Sequence, residues 1–149
     1  MQLKILAVSD YWLIRTTEGE EELKGKVRYS RATNSALFTL ADEKASLKIR
    51  RLDESLILSF YHESTRVKTI LPNKRISSRS IIWNIVGREN EGVKIVMKNH
   101  SQKIFYQNEC IAKLKVISEK KAILDLFSLT ALPPIILLGV LTPTFFQFQ

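Results

Sequence analysis

One cysteine, Cys110, is all the chain has, so no internal disulfide can form and no thiol cluster can hold a metal. Thiol scarcity fits a reducing cytosol, and the expected location is cytoplasmic. The first residues, MQLKILAVSDYWLIRTTEGE, lack a long apolar run followed by a small-residue cleavage site, which argues against a secretory signal. Glycine and proline are also scarce, at five and four residues in 149. With 45% apolar residues, that excludes a fibrous or disordered chain and leaves enough material for one substantial core.

The usual marks of chemistry are missing as well. There is no glycine-rich phosphate loop and no G-x-S-x-G elbow. Glu20-Glu21-Glu22 lacks the spaced oxygen donors of a calcium loop. His62 adjoins Glu63, but neighbouring strand residues face opposite ways, and His100 falls in the turn K-N-H-S. Cys110 follows Glu109, which disfavours a thiolate, and it reads as a small buried hydrophobe. No catalytic residue, cofactor or metal is called for.

What the chain does have is positive charge in one region. Residues 44–103 hold 13 Lys and Arg against 5 Asp and Glu, which accounts for the whole net charge of +8. Between residues 64 and 88 there are six cations and no acid: Arg66, Lys68, Lys74, Arg75, Arg79 and Arg88. A field of one sign draws phosphates, anionic lipid or an acidic protein, while the same residues could simply be the solvated faces of strands.

Period-two alternation runs through most of the chain. Val27 and Tyr29 alternate with cations, as do Ala45, Leu47 and Ile49 after the turn at Asp42-Glu43, and Leu56, Leu58 and Phe60 continue the pattern. Ser80–Gly87, with Trp83, reads as another strand, and Trp83 as core. Leu71–Ser80, with Pro72, Asn73 and three serines, reads as a basic loop. Ile111–Ile117 departs from strict alternation, which points to a bulge or a misplaced strand boundary. Ten or eleven short strands with tight turns imply an antiparallel sandwich or barrel.

After Lys121 the composition changes. Residues 122–149 carry a single charge, Asp125, and are apolar almost all round, so they must be enclosed by protein or by lipid. One account makes 122–141 a helix within the sheet system, with 144–148 a last strand or plug. A variant starts a short buried helix at Pro133-Pro134, since proline costs little in a first turn. The other account makes 126–148 a membrane tail anchor.

The segment SALFTLADEKASLKI (35–49), the strand at 81–86, the stretch QNECIAKLKV (107–116) and the apolar segment 122–141, taken in order, resemble the tubby C-terminal-like group. That group includes plant LURP-one-related proteins, the phospholipid-scramblase domain and small bacterial relatives. The resemblance implies a mainly β fold: a closed or nearly closed antiparallel barrel, spanning 1–149, around a buried helix at 122–141. The group spans phosphoinositide binding, lipid-associated roles and many members of unknown role, so the resemblance does not settle function; the missing catalytic motifs make the reading a non-enzymatic one. The expected contact is an anionic phospholipid headgroup or membrane surface. Lys74, Arg75 and Arg79 are the first candidates for it, with Arg66 and Lys68 behind them. An acidic protein is a further candidate partner. The alternatives are a tail-anchored protein with a cytosolic β-domain and a nucleic-acid-binding β-domain, in which Lys48, Arg50, Arg51, Arg66 and Lys68 would join Tyr61 and Trp83 as stacking rings.

Overall fold

Alternation becomes walls. In the computed structural model, which describes residues 1–17, 23–53, 55–86, 91–128 and 132–146, the chain runs through twelve strands. These are β1 (Gln2–Val8), β2 (Tyr11–Thr16), β3 (Lys24–Ser30), β4 (Ser35–Leu40), β5 (Glu43–Leu52) and β6 (Ser55–His62) in the first half. The second half supplies β7 (Val67–Ser77), β8 (Ser80–Asn84), β9 (Gly92–Lys98), β10 (Ser101–Tyr106), β11 (Glu109–Ser118) and β12 (Lys121–Leu126). Each strand pairs antiparallel with the next, and β12 pairs with β1, so the sheet closes as an up-and-down barrel with no free edge. The seam runs from Gln2 opposite Asp125 to Leu6 opposite Lys121. Gln2 Nε2 donates to Asp125 Oδ1 at 2.9 Å on its outer side.

Residues of one parity fill the lumen. Ala36, Phe38 and Leu40 of β4, and Ala45, Leu47 and Ile49 of β5, are buried, while Lys44, Lys48 and Arg50 between them face water. An eight-stranded barrel can be filled by its own side chains, but twelve strands cannot do so alone. At a strand spacing of about 4.8 Å and a tilt of about 40°, the wall stands about 12 Å from the axis. The inward side chains and one helix are needed to fill that radius.

The C-terminal segment supplies the helix. α1 (Pro134–Leu141) packs against β4, β5 and β6, and six of its eight residues are buried. Its sides differ so little in polarity because all but Pro134 and Ile136 are buried. Pro133 caps it and Pro134 opens it, where a missing N–H costs nothing. Gly139 is placed by crowding: a Cβ there would lie 2.9 Å from Phe60 Cε2. Thr142–Phe146 follow as a wide π-helical turn, with Thr142 Oγ1 bonded to Leu138 O at 3.1 Å.

Several expectations are corrected. The helix does not span 122–141: Lys121–Leu126 is the twelfth strand, and only Pro134–Leu141 is α-helical. Ala122, Leu124 and Leu126 point inward while Ile123 and Asp125 are half-buried, an alternation hidden by apolar residues on both faces. Of the last strand or extended plug expected at 144–148, the strand is absent as far as Phe146, where a π-helical turn buries Phe145 and Phe146 instead; Gln147 and Phe148 lie outside the described residues. Leu71–Ser80 is no loop, because β7 runs to Ser77 and only Ser78 and Arg79 turn the chain. Pro72 is accommodated at the end of the β6–β7 ladder, where Asn73 Oδ1 accepts from Leu56 N at 2.7 Å. The broken alternation at Ile111–Ile117 has both of the expected causes: the strand in fact runs from Glu109 to Ser118, and its register shifts between Val116 and Ser118. Trp83 is core, with 0% exposure, and Cys110 is only half-buried.

Candidate functional site

In an up-and-down barrel, alternate turns gather at the same end. Turns after odd-numbered strands form what we call the upper end, and turns after even-numbered strands the lower. The C-terminal segment leaves β12 at the lower end, crosses the lumen as α1 and arrives at the upper end. There Phe145 and Phe146 pack on Trp12 of β2, at centroid distances of 4.9 and 5.7 Å. Gln102, 8% exposed at the start of β10, accepts from Thr144 Oγ1 at 2.8 Å and fixes the turn against the wall.

This topology divides the five expected contact residues. Arg66 lies in the β6–β7 turn and Lys68 next to it, both at the lower end. Lys74 and Arg75 lie near the far end of β7, and Arg79 in the turn beyond it, all at the upper end. An extended strand rises about 3.3 Å per residue, so Arg66 and Lys74 are separated by about 26 Å along β7. Arg66 and Lys68 therefore do not stand behind the other three. Arg75 Nη1 donates to Ser78 O at 3.1 Å, which ties it across the hairpin tip. Among the described residues, no carboxylate lies within 4.0 Å of Lys74, Arg75 or Arg79.

Other hairpins bring further cations to the upper end. Arg31 sits in the β3–β4 turn, Arg50 and Arg51 precede the β5–β6 turn, and Lys98 precedes the β9–β10 turn. Lys120 lies in the β11–β12 turn, between Lys115 of β11 and Lys121 of β12. Among the described residues, the acids there are Asp10, Asp53 and Glu119. The lower end mixes signs instead: Asp42, Glu43, Glu63, Glu91, Glu109 and Asp125 lie among Lys24, Lys44, Arg66 and Lys68. Beside the C-terminal turn, the upper end also holds an open depression of about 750 Å³. Arg31, His100, Gln102 and Glu119 line it together with Val116, Ile117 and Phe145.

The cations from distant hairpins escaped a reading by sequence proximity. Sorting charged residues by turn parity would have found them.

The remaining candidates lie away from the upper end. His62 Nδ1 lies 2.9 Å from Thr65 Oγ1, and its Nε2 lies 3.3 Å from Ser64 Oγ and 3.9 Å from Glu43, so it belongs to a turn network. Cys110 Sγ donates to Ala112 O at 3.6 Å. Among the described residues, no group of three or more His, Cys, Asp or Glu could hold a metal ion. Nor, among them, is any helix long and apolar enough to cross a membrane. Trp83 is too deeply buried to stack on a base, which removes one of the two rings from the nucleic-acid face. Comparisons with protein-family models, curated proteins and solved structures found no match to this chain.

Proposed function

We propose that this protein is a non-enzymatic binding module that sets its upper end on an anionic phospholipid surface. The observation that carries this reading is the unequal charge of the two ends: cations from five hairpins converge on one, while the other mixes signs. The site is Lys74, Arg75 and Arg79, joined by Arg50, Arg51, Lys98 and Lys120 from neighbouring hairpins. Arg66 and Lys68 are not part of it. A broad ring of cations suits an extended negative plane better than a single small anion. The cytoplasmic leaflet is such a plane. A twelve-stranded barrel around a C-terminal helix also supports placing the chain with the tubby C-terminal-like group, and with it a lipid-associated role.

Each Lys or Arg near an anionic surface contributes about 1 kcal/mol. Removing three therefore weakens binding by about 3 kcal/mol, or about 100-fold. Co-sedimentation of Lys74→Ala/Arg75→Ala/Arg79→Ala with phosphatidylserine-containing vesicles measures this loss. Unchanged binding would remove the proposal. Competition between vesicles and an oligonucleotide separates lipid from nucleic acid, since salt sensitivity alone is common to both.

A further inference from the structure

Four of the six strands that arrive at the upper end finish on an exposed aliphatic side chain. Val8 and Leu52 are the last residues of β1 and β5, and Ile76 and Ile117 the next to last of β7 and β11. Leu52 is 60% exposed, Ile76 51% and Ile117 49%, so about half or more of each stays in water close to a well-packed core. The two isoleucines share a second feature. Ile76 falls between Arg75 and Ser77, and Ile117 between Val116 and Ser118, where the strand registers shift. A bulge leaves one residue unpaired and re-aims its side chain, and in both places that residue is an isoleucine.

Cations sit beside these tips in the chain. Arg51 precedes Leu52, Arg75 precedes Ile76, and Lys120 follows Ile117 by three residues. Two upper ends brought face to face would oppose cation to cation, so a second copy of the chain is a poor occupant. An anionic bilayer satisfies both features, with phosphates for the cations and an acyl boundary for the aliphatics.

We infer that Leu52, Ile76 and Ile117 enter the headgroup–acyl boundary of the membrane, giving the upper end an apolar anchor besides its charge. This rests on the anionic-surface reading above and adds a property that charge alone does not supply. Salt screens the cations but leaves apolar burial intact. Binding then has a component that survives high salt.

The experiment compares the full-length chain with Leu52→Ser/Ile76→Ser/Ile117→Ser on phosphatidylcholine vesicles, about one third of whose lipid is phosphatidylserine. It is run at about 0.1 M and about 1 M salt, where the screening length falls from about 10 Å to about 3 Å. The parent chain retains part of its binding at high salt. The serine variant loses that part and binds about tenfold or more weakly at low salt. All three positions are exposed, so its thermal unfolding matches the parent's. Trp12 and Trp83 are buried, so in Ile76→Trp the new indole alone is quenched by acyl-brominated lipid. Equal binding of parent and serine variant at both salts, with Lys74→Ala/Arg75→Ala/Arg79→Ala still defective, overturns insertion and leaves the charge reading standing. No vesicle binding by the parent removes both. Self-association of the parent that the serine variant lacks, without a difference on vesicles, makes a second copy the occupant and overturns insertion.

Discussion

At the lower end of the barrel carboxylates stand among the cations: Asp42 and Glu43 with Lys44, and Glu63 with Arg66 and Lys68. At the upper end Arg50 and Arg51, Lys74 and Arg75, and Lys120 and Lys121 arrive in pairs, while exposed aliphatic side chains occur at both ends, Val67 and Val86 at the lower. Both ends are made of the same tight hairpins, and both use left-handed residues that are not glycine. Asn34 and Asn99 serve at the upper end, and Ala41, Arg66, Gln107 and Asn108 at the lower. The barrel needs only the inward side chains and the turns, so neither end's charge follows from folding. Gathering like charges raises self-repulsion in the compact state. The proposed anionic partner would offset this cost, for which the fold itself offers no return.

The ends also differ in how the lumen is stoppered, and mutation sharpens that contrast. Phe146 is 0% exposed and packed edge-on to Trp12 and Phe145 at the upper end, whereas Phe127, where the segment leaves β12 at the lower end, is 60% exposed. Phe146→Ala is expected to cost about 3–5 kcal/mol in urea unfolding. Phe127→Ala should stay within about 0.5 kcal/mol of the parent. Similar losses at both positions would break the distinction.

A smaller effect tests the fit between the ends. Alanine at position 139 gains about 1 kcal/mol of helix propensity over glycine. Its Cβ, however, meets the buried Phe60 ring at 2.9 and 3.0 Å, and overpacking of that kind costs about 1–3 kcal/mol. Gly139→Ala is therefore expected to destabilise by up to about 2 kcal/mol. Combining it with Phe60→Leu, which shortens the opposing side chain, should give less than the sum of the two losses in a double-mutant cycle. Stabilisation by Gly139→Ala alone would mean that the helix sits loosely in the lumen.

Most of the walls were legible from sequence because strands such as β5 alternate, with Lys44, Ser46, Lys48 and Arg50 marking the outward parity. Legibility failed where that marking was absent or misleading. In β12 the outward positions hold Ile123 as well as Asp125, so the strand merged into the apolar run that ends in the helix. In β7 a proline and an asparagine resembled a break, although Asn73's side chain supplies the acceptor that continues the pairing. The surface proposed for contact was half legible. Lys74, Arg75 and Arg79 stood out because they are neighbours in the chain, and the barrel keeps them at one end. Arg66 and Lys68 were added by the same proximity and proved to be a strand's length away. The cations of other hairpins emerged only once closure set which turns share an end.

Matched charge reversals at the two ends give the most direct test. Lys74→Glu/Arg75→Glu/Arg79→Glu and Lys44→Glu/Arg66→Glu/Lys68→Glu change the net charge equally, and partitioning onto phosphatidylserine-containing vesicles is measured for each. The upper set is expected to lose about 100-fold or more, at about 1 kcal/mol per cation. The lower set should stay within about threefold at physiological salt, where the screening length is about 8 Å. Equal losses would mean that only the total charge matters, and that the upper end is no docking surface.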